Sequence, residues 1–242
     1  EWDHKLAGAT YLDILRAGGG IMSTVRDTRA ASEDHLVDLL LERLGAVLSG
    51  GTAAGEIKSG YGLDEACELK MLRAIARAAQ AFPGRVRMTA LIAHAIDQEY
   101  PGGRDAFVRF VTNDVLDAVH ESFPGVPIDA YCESGAWSYL ESTALFTRAI
   151  ELGHPVRVHT DQFNDLGLTA WAVKHRALSV DHLEASSRRT LERVAGSSVA
   201  AVLLPCSGFH VDQRYADGRT LVDLGGIVVL ATNSNPGSAP TV

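Results

Sequence analysis

Cysteine is scarce in this chain. The 242 residues hold three, Cys67, Cys132 and Cys206, an odd and widely spaced set. That argues against a disulfide framework and fits a reducing compartment, so a cytoplasmic protein is expected. Aromatic residues make up only 7%, and no apolar segment approaches the roughly 18 residues of a membrane span, so no membrane partner is expected. Positive charge is in the minority: 22 Lys and Arg against 30 Asp and Glu leave a formal net charge of −8. With no basic cluster larger than SSRRTLER, nucleic acid is not expected as a partner either. No proline- or serine-rich linker divides the chain, which therefore reads as one domain over 1–242. The glycines of AGGGIMSTVRDTRAAS lack the strand–GxGxxG–helix context of a phosphate cradle and read as a loop, with Arg26 and Arg29 as surface charges.

What is abundant is alternation. Short apolar, β-branched runs predict strands near 53–58, 86–93, 127–132, 156–159, 178–181, 199–204 and 227–231. Between them lie amphipathic stretches such as LDEACELKMLRAIARAAQAF, GRDAFVRFVTNDVLDAVHESF, SYLESTALFTRAIELG and SSRRTLERVAG, whose apolar spacing of three and four predicts helices. A further helix is expected over about 33–47, with Asp64 and Ser187 as N-caps and Gly153 past a helix end. Repeated strand–helix alternation implies a parallel sheet with helices packed outside it.

Two closures compete, an open doubly wound sheet and a (β/α)8 barrel. The strands end at Glu56-Ile57-Lys58, His94, Glu133, His159, His182, Pro205-Cys206 and Asn233. A barrel gathers all these ends around one pocket, whereas an open sheet scatters most of them. The barrel is favoured, with seven of its eight strands visible.

The motifs at those ends carry the chemistry. In VRVHTDQFNDLG, His159 is a candidate zinc or iron ligand, with Gln162 placed to offer an amide to a substrate. A hydrogen-bonded loop histidine is the plainer alternative. In ALSVDHLEAS, His182 could be a ligand, a proton donor or an oxyanion stabiliser. LIAHAIDQEY carries His94, and EIKSGYGLD carries Lys58 and Tyr61, the latter between two glycines that let a ligand approach the backbone. Cys206, in LLPCSG, reads as a small buried residue.

Taken in order, GGGIMSTVRDTRAAS, EIKSGYGL, AHA followed by EY, CESG, HTDQ, DHLE, LLP and ATNSNPGS resemble the imidazolonepropionases of the amidohydrolase superfamily, over nearly the whole chain. The resemblance implies a metal-dependent ring opening of 4-imidazolone-5-propanoate to N-formimidoyl-L-glutamate in histidine degradation. It also implies a homodimer and one zinc or iron ion at the mouth of a TIM-type (β/α)8 barrel. On matching positions, His159 is a metal ligand and His182 the catalytic histidine near the attacked carbonyl. Tyr61, His94, Gln162, Asn235, Gly237 and Ser238 contact the small-molecule substrate. The family's first strand with its paired histidines, and its β-sandwich ends, would lie outside this sequence, leaving an incomplete barrel expected to be inactive alone. Asn233 stands where the family carries an Asp that binds metal and accepts a proton. Two alternatives stay open: a catalytically impaired amidohydrolase-like binding protein, and a related cyclic amidohydrolase or deaminase.

Overall fold

The computed structural model describes residues 7–8, 20–237 and 239. Its seven strands are β1 (Ala54–Lys58), β2 (Arg85–Ala93), β3 (Ile128–Cys132), β4 (Val156–Thr160), β5 (Ser179–His182), β6 (Ala200–Leu203) and β7 (Val228–Leu230). Every neighbouring pair is parallel, and the strands lie side by side in chain order. A doubly wound sheet reverses its order at a switch point, whereas a barrel does not. Curvature follows from the side chains. The ammonium of Lys58 on β1 lies 3.0 Å from Asp181 on β5, although four strand spacings in a flat sheet would separate them by about 19 Å. The sheet therefore curls into most of a (β/α)8 barrel. Strand limits differ from the sequence expectation by a residue or two.

Ten helices are described: α1 (Ile21–Ala30), α2 (Glu33–Ser49), α3 (Glu65–Ala81), α4 (Gly103–Phe110), α5 (Leu116–Ser122), α6 (Tyr139–Glu151), α7 (Leu168–Lys174), α8 (Arg188–Ala195), α9 (Pro205–Val211) and α10 (Gly218–Asp223). The expected caps are present: Asp64 accepts from the Cys67 N–H and Ser187 from the Thr190 N–H, while Gly153 takes φ 85° past α6.

Two expectations are corrected. The segment after Gly20 is the helix α1 and not a loop, because Ile21, Met22 and Val25 repeat at helical spacing and pack on the core. Its Arg29 is more than a surface charge: it donates to the Gly62 carbonyl at 2.8 Å and pairs with Asp64 and Asp97. The single helix expected over GRDAFVRFVTNDVLDAVHESF is interrupted by a π-helical turn at Val111–Val115. The wider turn shifts the helical phase so that Phe107, Val111, Val115, Leu116 and Val119 are all buried.

The period-two alternation of each strand sorts the molecule into two interiors. Ile128, Ala130, Val156, Val158, Val180 and Ala201 belong to the apolar core beneath the helices. Glu56, Lys58, Asp129, Tyr131, Arg157, His159, Ser179 and Asp181 occupy the alternate positions and face the barrel axis, which is polar.

Candidate active site

At the floor of the site lies a charge lattice. Lys58 reaches Asp129 at 2.6 Å and Asp181 at 3.0 Å, with Glu56 at 3.5 Å. Arg157 pairs with Glu56 at 3.0 Å and donates to Ser179, which donates to Asp181 at 2.7 Å; the Thr89 hydroxyl also donates to Glu56. Burial works against the Lys58 ammonium, yet Asp129, Asp181 and Glu56 outweigh it and hold its pKa above the ordinary lysine value. Burial likewise works against the two aspartates, and the neighbouring Lys58 ammonium and His159 ring hold both carboxyls below the usual range.

Above this floor, a run of rings crosses the strand ends. Tyr61 meets His94 edge-on with centroids 4.9 Å apart, and His94 lies 6.4 Å from Tyr131. Tyr131 is 6.5 Å from both His159 and His182, which are 5.6 Å from each other. The Tyr131 hydroxyl donates to Gln162 Oε1 at 2.8 Å, and the Gln162 amide donates to Ser207 at 3.3 Å. Five residues with candidate roles thus surround one mouth: Tyr61, His94, His159, Gln162 and His182. Left-handed backbone flanks these residues too, at Leu63, Asp161, His182 and Leu183. Strain of this kind in non-glycine residues persists where surrounding structure enforces it, and it clusters at functional sites.

The Tyr61 loop is built on Glu68, a side chain from α3 that accepts from the backbone N–H groups of Gly60 (3.0 Å), Gly62 (2.7 Å) and Leu63 (3.1 Å). Glycine is required at 62, because a Cβ there would lie 2.6 Å from the Glu68 nitrogen. Glu68→Ala would leave three buried donors without a partner, so a loss of about 3–5 kcal/mol in urea unfolding is expected, with the 59–63 loop newly open to protease. Burial raises the Tyr61 phenol to about 12, so it stays a hydrogen-bond donor.

His94 Nδ1 donates to the Gly60 carbonyl at 3.0 Å, and burial, then repulsion from His159, pushes its pKa down to about 4. The neutral ring leaves Nε2 as an acceptor. Its sign for stability is definite: the contribution is full above about 6.5 and is lost as pH falls from there towards 4. We expect about 3 kcal/mol less stability at pH 4 than at pH 7 from this residue. Urea midpoints of wild type and His94→Gln across that range would show it as the difference between their two slopes.

The turn after β7 is organised by its own hydrogen bonds. Asn233 sits at φ 54°, its carbonyl accepts from Asn235 Nδ2 at 2.6 Å, and Asn235 Oδ1 accepts from the Gly237 N–H at 2.9 Å. The run of ring contacts does not include this turn, and Ser238 lies outside the described residues. The alternative of a plain loop histidine fails for His159, which lies on β4 and is buried.

Sequence reasoning passed over Asp129, Tyr131 and Glu68. The first two were within reach: in Ile-Asp-Ala-Tyr-Cys, the polar residues alternate along a buried strand and so share the barrel face. Glu133, by contrast, is committed to structure, accepting from Phe163, Asn164 and Ser134 and so fixing the loop that carries Gln162.

Asp129, His159 and Asp181 place one ligand atom each within 4.8 Å of one another and could hold a metal ion. Imidazole and carboxylate are donors of the type zinc and iron take. His159 Nδ1 is buried, lies 3.0 Å from an Asp129 oxygen and makes no well-directed hydrogen bond. The carboxylates are already served by Lys58, so His159 is the donor left to spare. The residues therefore fit an ion held at His159.

No protein-family model matches the chain. Curated relatives do. An imidazolonepropionase of Herpetosiphon aurantiacus is 41% identical over 99% of this chain and 58% of its own length. One from Myxococcus xanthus is 42% identical over 99% of this chain and 57% of its own. The sequence is thus related to imidazolonepropionase throughout and spans somewhat more than half the length of these relatives. Among solved structures, guanine deaminase from C. acetobutylicum with bound guanine superposes with TM-score 0.63 at 13% identity, covering 90% of this chain and 54% of that one. An amidohydrolase from Burkholderia ambifaria with bound Zn gives TM-score 0.63 at 14% identity, covering 84% and 58%. The chain has the amidohydrolase fold. No helix among the described residues is long and apolar enough to cross a membrane.

Proposed function

We propose that this chain is the barrel portion of an imidazolonepropionase, which hydrolyses 4-imidazolone-5-propanoate to N-formimidoyl-L-glutamate in histidine degradation. One observation carries the reading: Tyr61, His94, His159 and His182, the positions marked by the resemblance, are linked ring to ring across the strand ends. The complete protein would be cytoplasmic and homodimeric, with a small molecule as its partner.

His159, with the neutral oxygen of Asn233 as the family's second position, would hold one zinc or iron ion. Such an ion lowers the pKa of a bound water and polarises a carbonyl. The other roles belong to the side chains. Tyr61 donates a hydrogen bond to the substrate, and neutral His94 accepts one from a ring N–H. Gln162, steadied by Tyr131 and Ser207, offers its amide, and the turn at Asn235, Gly237 and Ser238 grips the substrate with backbone and side-chain groups. Hydrolysis forms a bond from the water oxygen to the ring carbonyl carbon and breaks the ring C–N bond. One water proton ends on the departing nitrogen, with His182 moving it. Asn233 can accept a hydrogen bond but is no base at neutral pH, which makes it the weak member of this set.

The test is turnover by the full-length protein of 4-imidazolone-5-propanoate against a hydantoin and guanine. Preference for the first supports the reading. Preference for either of the others would move the chain to a related cyclic amidohydrolase or deaminase. Asn233 also favours a second reading, a binding protein of this fold that retains affinity for the ligand without turnover.

A further inference from the structure

We propose that Glu184 is the positioning residue for His182: its carboxylate accepts the Nδ1 proton, fixes the Nδ1–H tautomer and leaves Nε2 to exchange a proton with the substrate. The role of His182 in proton transfer rests on the function proposed above, but the Glu184 contact itself does not.

Three observations carry it. First, both Glu184 oxygens approach His182 Nδ1, at 3.4 Å and 3.3 Å. Hydrogen bonds of catalytic groups are often this long before substrate binds. Second, the two side chains are buried, 4% and 5% exposed. The hydrogen bond runs through Oε1, Oε2 makes none of its own, and no further ion pair reaches Glu184 among the described residues. It borders a partly open, mostly apolar pocket of about 170 Å³ with Leu203, Leu204, Pro205, Tyr215, Ala216 and Leu230. A carboxylate in such apolar company needs a partner, and the imidazole is the one it has.

Third, the backbone is bent to make the contact. His182 and Leu183 take φ 87° and 73° in succession, a left-handed pair with no glycine. Along an extended strand, side chains two residues apart stand about 6.6 Å from one another. The double bend folds residue 184 back onto the ring of residue 182. It is pinned from outside by the Leu183 N–H to the Thr160 carbonyl at 3.3 Å and the Ala185 N–H to the Asp161 carbonyl at 2.7 Å. Asp161 in turn accepts from Thr160, Thr169 and Ser186. A strained turn with this many supports serves a constraint on the groups it presents.

The experiment uses the full-length protein with selectively ¹⁵N-labelled histidine, the His182 signals being identified by their loss in His182→Gln. In wild type, neutral His182 should carry its proton on Nδ1. In Glu184→Gln the tautomer should move wholly or partly to Nε2–H, because an amide can donate to Nδ1. In the Asn233→Asp background, Glu184→Gln should lower kcat about 10- to 100-fold with KM within twofold, the size seen when the outer partner of an active-site histidine is removed. A packing role alone would lower the unfolding midpoint and leave the tautomer in place. An unchanged tautomer together with unchanged kcat overturns the proposal. Glu184→Gln is close to isosteric and keeps the readout even if Glu184→Ala fails to fold. Should Asn233→Asp show no turnover, the hydrolase reading falls, and the tautomer alone still decides the role of Glu184.

Discussion

Full-length protein with Asp in place of Asn233 should turn over 4-imidazolone-5-propanoate at least about 100-fold faster than the Asn form. A positioned general base contributes roughly 10²- to 10⁴-fold, and the amide of Asn233 cannot act as one. An anionic ligand would also retain a metal better than a neutral oxygen. The swap is sterically mild. Residue 233 sits at φ 54°, a conformation that both Asn and Asp tolerate, and its turn is held through its carbonyl by Asn235 and not through its own side chain. Steady-state kinetics of the two forms, both metal-loaded, measure the effect. Recovery of two orders of magnitude would confirm Asn233 as a lesion in a hydrolase. Substrate affinity without turnover in both forms would favour the binding protein. Full activity of the Asn form would show that residue 233 has no part in the chemistry.

Lys58→Met should be the most destabilising single change inside the barrel. It removes the ammonium at 2.6 Å from Asp129 and 3.0 Å from Asp181, and leaves two buried carboxylates facing each other. Breaking a buried ion pair by deleting one partner costs about 3–5 kcal/mol, chiefly because the charge left behind is uncompensated. Urea unfolding at pH 7 should show a loss of that size, and Lys58→Met with Asp129→Asn should recover part of it. The pH dependence is set by the direction of each shift. Both aspartates are depressed in the folded protein, so their contribution is full above the ordinary value of 3.8 and is lost as pH falls through their lower folded values. Lys58 is raised, so its contribution is full below 10.5 and is lost as pH rises through the folded value. Wild type should therefore keep this lattice from about pH 4 to pH 10. A loss under about 1 kcal/mol on Lys58→Met would mean that water reaches the barrel floor.

Local signals were legible in the sequence because they depend on neighbours in the chain. Strand and helix alternation, the Asp64 and Ser187 caps and the glycine-bound turn around Tyr61 are each set by residues within a helical turn of one another. So was the choice of barrel over open sheet, since a polar group ends nearly every strand. The helix α1 was hidden because the three glycines that precede it in the sequence suggested a loop, while its apolar stripe is only three residues wide. The π-turn at Val111–Val115 was hidden because a helical repeat with one extra residue still looks helical over short windows.

What no local pattern could supply is the company each side chain keeps across the barrel. Lys58 and Asp181 are 123 residues apart in the chain, and Arg29 and Gly62 are 33 apart. A sequence period says which face a residue is on; it does not say which strands a curled sheet brings opposite each other. Closing the sheet put Lys58 between two aspartates, brought His159 beside Asp129 and strung five histidine and tyrosine contacts across the strand ends. Residue types were readable one by one, but their mutual distances arise only when the sheet curls.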